Sequence, residues 1–155
     1  MKTSRLAALG ISALLGAAGC GGMDGTAHDE ATADLGRGLD ALRSANAEHR
    51  RAVGAATDLA GMMGSERDHP AGMRGSMDSM MGSDVAGCGM MEGGDLHGAL
   101  DDLAAELDSH RSRMMDAGGM EPARAEEERH QGRMDAFLGT LDGYRMHRMM
   151  GGPGC

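Results

Sequence analysis

Residues 95–117 read DLHGALDDLAAELDSHRSRMMDA, and this stretch decides the fold. Apolar side chains recur along it at alternating steps of four and three, which is the period of one face of an α-helix. The positions on that face are Leu96, Leu100, Leu103, Leu107, His110, Met114 and Ala117. The pattern predicts an amphipathic helix that packs against other helices and carries a histidine on its apolar side.

The same pattern occurs 61 residues earlier, without a gap between the two copies. The earlier positions are Leu35, Leu39, Leu42, Asn46, His49, Val53 and Ala56. A second segment is copied at the same offset, since Glu66, His69 and Met73 reappear as Glu127, His130 and Met134. The internal repeat predicts that one helix-turn-helix unit was duplicated.

The expected fold class is all-α, with two duplicated helical hairpins forming an antiparallel four-helix bundle behind a flexible N-terminal tether. The final helix is expected to begin at Pro122, after Gly118 and Gly119. Its inner face consists of Ala123, Glu127, His130, Met134, Phe137, Leu141 and Tyr144. The predicted segments are hairpin 1 over residues 30–82, a Gly- and Met-containing linker over 83–94, hairpin 2 over 95–150, and a tail over 151–155.

The first twenty residues have the layout of an export signal. Lys2 and Arg5 precede an apolar stretch over residues 6–15, which is too short for a permanent membrane-spanning helix. Small residues then lead to Cys20. We therefore predict a signal peptide over residues 1–19 and a tether over residues 20–29.

The sequence Ala17-Ala18-Gly19-Cys20 resembles the lipobox of bacterial lipoprotein precursors, although Ala17 stands where leucine is usual. The resemblance implies that Cys20 is acylated and anchors the chain to a membrane. Gly21 resembles the residue that follows the cysteine in outer-membrane lipoproteins, which in a Gram-negative host implies a location facing the periplasm. The alternative is a soluble secreted protein with an incidental cysteine.

Net charge limits the classes of partner. Without Lys2 and Arg5, 13 basic residues remain against 24 acidic residues, a net charge of −11. Such a surface disfavours nucleic acid and anionic lipid as partners and favours cations. Phe137 and Tyr144 are the only aromatic residues, so the core has to be built from Leu, Ala, Met and Val.

The spacing of the histidines indicates a metal site. His110 and His130 lie about 10 and 12 Å from the turn between their helices, and His49 and His69 repeat this spacing. We expect all four imidazoles in one layer, with Glu66 and Glu127 one turn away and with Met73, Met114 and Met134 on the same faces. Imidazoles and carboxylates suit zinc, iron, manganese or copper(II), whereas thioethers favour copper(I). The alternative is that these histidines are packed polar residues without a metal.

Glu66-x-x-His69 and Glu127-x-x-His130 resemble the Glu-x-x-His pairs of ferritin-like di-iron bundles. That resemblance implies a di-metal oxidase, but His49 and His110 stand where the family places glutamates on the other two helices. Pro70 adds an expectation for this segment, because proline is tolerated mainly in the first turn of a helix. The helix is therefore expected to begin at His69 and to leave Glu66 outside it.

Methionine and cysteine add soft donor atoms. The methionine clusters, which resemble methionine-rich segments of periplasmic copper-handling proteins, are Met77, Met80 and Met81; Met90 and Met91; and Met146, Met149 and Met150. The alternative for the helical ones is adaptable core packing. Cys88 and Cys155 form a disulfide in the favoured interpretation, or act as soft metal ligands in the other. The chain has no C-x-x-C-H motif, so c-type haem is not expected.

Taken together, these patterns predict a lipid-anchored helical protein of the cell envelope. It is expected to bind a transition metal, with copper favoured, for storage, buffering or tolerance. The alternative is an envelope interaction or stress-sensing lipoprotein that binds no metal. No catalytic residue is identified, so an enzyme is the less favoured interpretation, and the sequence indicates no particular protein partner.

Overall fold

The computed structural model describes residues 25–81 and 96–150, and within these ranges the chain forms four α-helices. They are α1 (Gly25–Ala55), α2 (Leu59–Met81), α3 (Leu96–Met115) and α4 (Met120–Met149). Helix α1 packs against α2 and α4, and α3 packs against the same two helices. Because short turns join α1 to α2 and α3 to α4, the arrangement is an antiparallel bundle of two hairpins, which confirms the predicted fold class.

Helix α1 begins at Gly25, inside the segment predicted as a tether. Residues 25–34 hold three alanines and no proline, so nothing in this segment interrupts the helix. The predicted signal peptide, Cys20, the predicted linker with Cys88 and the predicted tail with Cys155 all lie outside the described residues. Within the described ranges, none of the helices has the length and apolar character needed to cross a bilayer.

Helix α2 continues through Pro70, so the expectation that this helix begins at His69 was wrong. Glu66 lies inside the helix and is 2% exposed. Proline removes one backbone hydrogen bond, the one that residue 70 would donate to the carbonyl of Glu66. Buried residues on both sides of Pro70, among them Met62 and Met73, pack into the bundle, and this packing outweighs the missing bond.

The two turns start the second helix of each hairpin in different ways. Asp58 caps α2, because its Oδ1 accepts a hydrogen bond from the backbone N–H of Gly61 at 2.8 Å. In the other turn, Gly118 and Gly119 precede α4. Pro122 lies in the first turn of α4, where its missing N–H has no helical partner to lose.

Buried apolar side chains form two clusters. The leucine core consists of Leu35, Leu39, Leu42, Met73, Met77, Met80, Leu96, Leu100, Leu103, Leu107, Met134, Leu138 and Leu141. The turn cluster, near the two turns, consists of Val53, Met62, Met114 and Ala123. Met77 and Met80 are 2% and 1% exposed, which confirms the core interpretation for these two methionines. Gly38 allows the close approach of α1 to α2, because a Cβ there would overlap the side chain of Met80.

The leucine core sets the stability of the bundle. Leu103 is fully buried, so Leu103→Ala is expected to lower the free energy of unfolding by about 2 to 5 kcal/mol. Met115, which is 61% exposed, provides the control, and Met115→Ala is expected to change it by less than about 0.5 kcal/mol. Urea denaturation followed by circular dichroism measures both, and equal losses in the two variants would contradict this core assignment.

Candidate metal centre

The four predicted histidines meet in one buried layer between the leucine core and the turn cluster. Each helix supplies one of them, and each is at most 6% exposed. The rings form two stacked pairs, His49 with His69 at a centroid distance of 3.8 Å and His110 with His130 at 3.7 Å. The pairs face each other edge-on, with 5.6 Å between the centroids of His69 and His130. The internal repeat thus becomes an approximate twofold arrangement of imidazoles.

Glu66 and Glu127 reach into this layer and complete a quartet with His49 and His110. Nε2 of His49 lies 3.1 Å from Oε1 of Glu66 and 3.2 Å from Oε2 of Glu127. Nε2 of His110 lies 3.1 Å from Oε2 of Glu66 and 3.5 Å from Oε2 of Glu127. Two ring nitrogens and two carboxylates therefore converge on one point inside the bundle, with one donor from each helix.

Within the quartet, Glu66 lacks a well-aligned hydrogen-bond donor. Both of its side-chain oxygens are buried and without a hydrogen-bond partner in the described part of the chain, although each lies 3.1 Å from an imidazole nitrogen. The aligned hydrogen bond of His49 Nε2 is made with Glu127. A buried carboxylate without an aligned donor is energetically costly.

The quartet has the dimensions of a metal-ligand set. Its four donor atoms all lie within 4.8 Å of one another. Ligand atoms around a tetrahedral zinc ion with nitrogen and oxygen bonds of about 2.0–2.1 Å are separated by about 3.3 Å. The observed nitrogen-to-oxygen distances, 3.1 to 3.5 Å, surround that value. These distances involve Oε1 of Glu66 towards His49 and Oε2 of Glu66 towards His110, and they are compatible with a cation between the four residues.

Without a metal, the quartet is balanced by protons. Burial alone would lower the pKa of His49, but Glu127 and Glu66 outweigh burial and raise this pKa to about 9. The pKa of His110 is likewise raised to about 9, against burial, by Glu127 and Glu66. Burial would raise the pKa of Glu66, yet the two histidines lower it to about 2. Two imidazolium ions then face two carboxylates.

The other two histidines are neutral. Burial lowers the pKa of His69 to about 3, and the nearby charge of His49 adds to this effect. Burial, together with the charge of His110, also lowers the pKa of His130. Nδ1 of His130 lies 3.0 Å from Oε1 of Glu106, and its Nε2 lies 3.4 Å from Nε2 of His69. Nδ1–H of His130 donates to Glu106, which leaves its Nε2 to accept from Nε2–H of His69.

Two carboxylates that contact the histidine layer were not predicted from the sequence. Glu106 lies against His130, and Glu126 lies 3.3 Å from Nδ1 of His110. Both are held by arginines of hairpin 2, as in the 2.7 Å contact of Arg113 Nε with Glu126 Oε1. The internal repeat does not reveal these two residues, because their counterparts 61 residues earlier are Ala45 and Ser65. Glu106 had a usable signal, since it precedes His110 by four residues and shares its helix face.

The predicted methionine ligands flank the layer on both sides. Met73 and Met134 belong to the leucine core, and Met114 belongs to the turn cluster. All three are fully buried. Their role as thioether ligands stays a prediction, whereas their packing in the two apolar clusters is observed.

Comparison with known proteins gives no further assignment. No protein-family model, no curated protein and no solved structure matches the chain.

The protonated quartet predicts how stability depends on pH. In chelator-treated protein, the free energy of unfolding is expected to fall from pH 6.5 to 9, because folded His49 and His110 retain protons that the unfolded chain has released. Each of these two histidines is expected to lower the free energy of unfolding by about 1 kcal/mol per pH unit over this range. Below pH 6.5 stability falls again, because folded His69 stays neutral while the unfolded chain binds a proton. Urea denaturation at a series of pH values should therefore give a maximum near pH 6.5.

Two variants test why the free energy of unfolding falls above pH 6.5. Glu66→Gln removes one carboxylate from the quartet, so it is expected to flatten the decline above pH 6.5. His147→Gln changes an exposed histidine and should leave the profile as it is. A wild-type profile that is flat between pH 6.5 and 9 would contradict the charge assignment.

Proposed function

We propose that this bundle binds a divalent transition-metal ion through His49, Glu66, His110 and Glu127, with copper(II) as the favoured ion. Its role would be metal storage, buffering or tolerance in the cell envelope. The observation that carries the proposal is the convergence of two imidazole nitrogens on a buried carboxylate, Glu66, that has no aligned hydrogen-bond donor. A cation at the point of convergence would satisfy both oxygens at once.

The charge of the quartet favours a divalent ion over copper(I). Metal binding requires neutral imidazoles, so His49 and His110 lose their protons when an ion enters. The carboxylates of Glu66 and Glu127 then carry two negative charges, which one divalent ion neutralises. A monovalent ion would leave a buried negative charge, which is costly. Among divalent first-row ions, nitrogen and oxygen sites bind copper(II) most tightly.

The surroundings of hairpin 2 support a metal site. In metal centres the ligating histidine usually donates its second N–H to a carboxylate, which fixes the tautomer and the ring orientation. Nδ1 of His110 lies 3.3 Å from Oε1 of Glu126, so its Nε2 is free to face the quartet. Three arginines anchor this carboxylate: Arg113, Arg129 and Arg133.

The cellular setting of the proposal rests on the sequence. The resemblance of residues 17–20 to a lipobox suggests anchoring through Cys20, and Gly21 suggests the outer membrane, facing the periplasm. A net charge of −11 after cleavage at Cys20 would attract cations to such a protein. The sulfur atoms of Cys88, Cys155 and the C-terminal methionines are soft donors, and they would favour copper among the available ions.

A second candidate function follows from the balance of charges in the metal-free quartet. Two imidazolium ions and two carboxylates neutralise one another, so the layer is also suited to a purely structural role. The protein would then be an envelope interaction lipoprotein that binds no metal. A ferritin-like di-metal oxidase is less favoured, because His49 and His110 replace the glutamates which that resemblance requires.

Metal binding separates these candidates. The soluble form lacking the signal and Cys20 is expected to bind one copper(II) or zinc ion per chain, measured against a chelator of known affinity. Glu66→Gln and His110→Gln should each weaken binding by at least about 100-fold, since each removes a ligand. His147→Gln, at an exposed position, should have no effect. Binding weaker than micromolar, or binding indifferent to both ligand substitutions, would favour the metal-free role.

Proton release provides an independent prediction. At pH 7 each bound ion is expected to displace about two protons, because His49 and His110 have a pKa of about 9 before the metal enters. Affinity should therefore increase as the pH rises towards 9. Calorimetry in buffers with different protonation enthalpies measures the number of protons. A value near zero would show that the ion binds elsewhere.

A further inference from the structure

One face of the bundle carries a groove that is lined by two residues of the histidine layer. A groove of about 510 Å³ lies between α1 and α2 and is lined by residues that include both histidines of hairpin 1, His49 and His69. Two exposed carboxylates, Glu48 and Asp68, line the same groove. Small residues form much of the remaining wall: Ala45, Ala52, Ser65 and Gly72.

The histidines along this groove have unpartnered atoms. Nδ1 of His49 and Nδ1 of His69 are buried and lack a hydrogen-bond partner within the described ranges. The two residues are 5% and 6% exposed. Their Nε2 atoms are already engaged inside the layer, with Glu127 and with His130 respectively. The remaining nitrogen of each ring is therefore a buried polar atom without a partner among the described residues, and it belongs to a residue that lines the groove.

The equivalent side of hairpin 2 is closed by charged side chains. Four of the small residues that line the groove, Ala45, Ala52, Ser65 and Gly72, have large charged counterparts 61 positions later, which are Glu106, Arg113, Glu126 and Arg133. Glu126 and Glu106 lie against the Nδ1 atoms of His110 and His130. Arginines bind these carboxylates from outside, including Arg133 Nε at 2.7 Å from Glu106. A depression between α3 and α4, also of about 510 Å³, is lined by Glu106 and Arg133 and by neither histidine.

We propose that the groove between α1 and α2 is the route by which a hydrated divalent metal ion reaches and leaves the quartet. Glu48 and Asp68 attract the ion, and His69 Nδ1 is the first imidazole ligand that it meets. This inference rests on the proposed metal site and adds its direction of access. The two copies of the repeat thus have different tasks, since hairpin 2 covers its histidines with carboxylates and arginines, whereas the histidines of hairpin 1 line a groove with small residues around them.

The size and charge of the groove suit such an ion. Six water molecules occupy about 180 Å³ in the liquid, so the groove has room for an ion with its first hydration shell. Carboxylates at the mouth of a cleft raise the local concentration of cations and accelerate their association. Imidazole nitrogens deeper inside then replace water as ligands.

Closing the groove tests the route. The substitution Gly72→Arg introduces the residue that hairpin 2 has at the equivalent position, Arg133. A Cβ at position 72 meets no atom within 4 Å, so the backbone has room for the new side chain. The matched control is Gly132→Arg, which adds the same charge at an exposed position on α4 where a Cβ also meets no atom within 4 Å. Circular dichroism confirms that both variants are folded. Stopped-flow mixing with zinc and a fluorescent chelator gives the association rate, and a chelator chase gives the dissociation rate.

For Gly72→Arg, association and dissociation are both expected to slow by about tenfold or more, with the equilibrium affinity changed much less. Blocking the route slows association and dissociation of the metal alike, whereas loss of a metal ligand accelerates dissociation. Gly132→Arg should retain wild-type rates. Equal rates in the two variants, with affinity intact, would overturn the route and leave the metal site standing. An unaltered protein that binds no metal would overturn the proposed function and this inference together.

The proposed attraction of the ion by Glu48 and Asp68 is tested separately. Glu48→Gln combined with Asp68→Asn should slow zinc association by about tenfold at low salt and reduce the dependence of this rate on ionic strength. Glu128→Gln combined with Asp116→Asn removes the same charge from exposed positions that do not line the groove. If both pairs of substitutions slow association equally, only the overall charge matters, and the assignment of Glu48 and Asp68 is wrong.

Discussion

The burial of two carboxylates against two imidazoles is the constraint on which the rest of the structure depends. Glu66 and Glu127 lie in the interior of a small bundle, where an unpaired charge is far more costly than at the surface. His49 and His110 offset this cost by taking up protons, and a divalent ion would offset it equally well. The positions of all four helices follow, because each helix has to bring its donor to the same level.

The two apolar clusters enclose this polar layer. The leucine core lies on one side of it and the smaller turn cluster on the other. The side chains of the layer are buried, so electrostatic interactions within the layer are stronger than at the surface. Surface ion pairs such as Arg50 with Asp135 join α1 to α4, but exposed pairs of this kind contribute little. Apolar burial provides the stability, while the polar layer fixes the register in which the helices pack.

Much of this arrangement could be predicted from the sequence, because the same residues occur twice. The repeat makes His49 equivalent to His110 and His69 equivalent to His130. Helix geometry alone then predicts that all four histidines lie at the same height in the bundle. The repeat could not reveal Glu106 or Glu126, which have no acidic counterparts in hairpin 1. Pro70 misled the prediction, since a local rule about proline took no account of the buried side chains on both sides of it. Tertiary packing decided that segment, and a single sequence does not display such packing.

The difference between the two hairpins connects structure with function. Hairpin 2 surrounds its histidines with bound carboxylates and arginines, whereas hairpin 1 has small residues at the matching positions. In the proposed metal site, hairpin 2 would hold its ligands in place, and the groove of hairpin 1 would let the ion exchange. Duplication of one hairpin followed by divergence of one copy is sufficient to create both arrangements.

The proposed metal centre is tested most directly by anomalous diffraction from crystals of the protein loaded with copper(II) or zinc. A single strong peak is expected inside the bundle, about 2.0 to 2.2 Å from Nε2 of His49, Nε2 of His110 and the carboxylates of Glu66 and Glu127. A peak located only among the C-terminal methionines, with the quartet retaining its metal-free geometry, would show that the quartet is not the metal site.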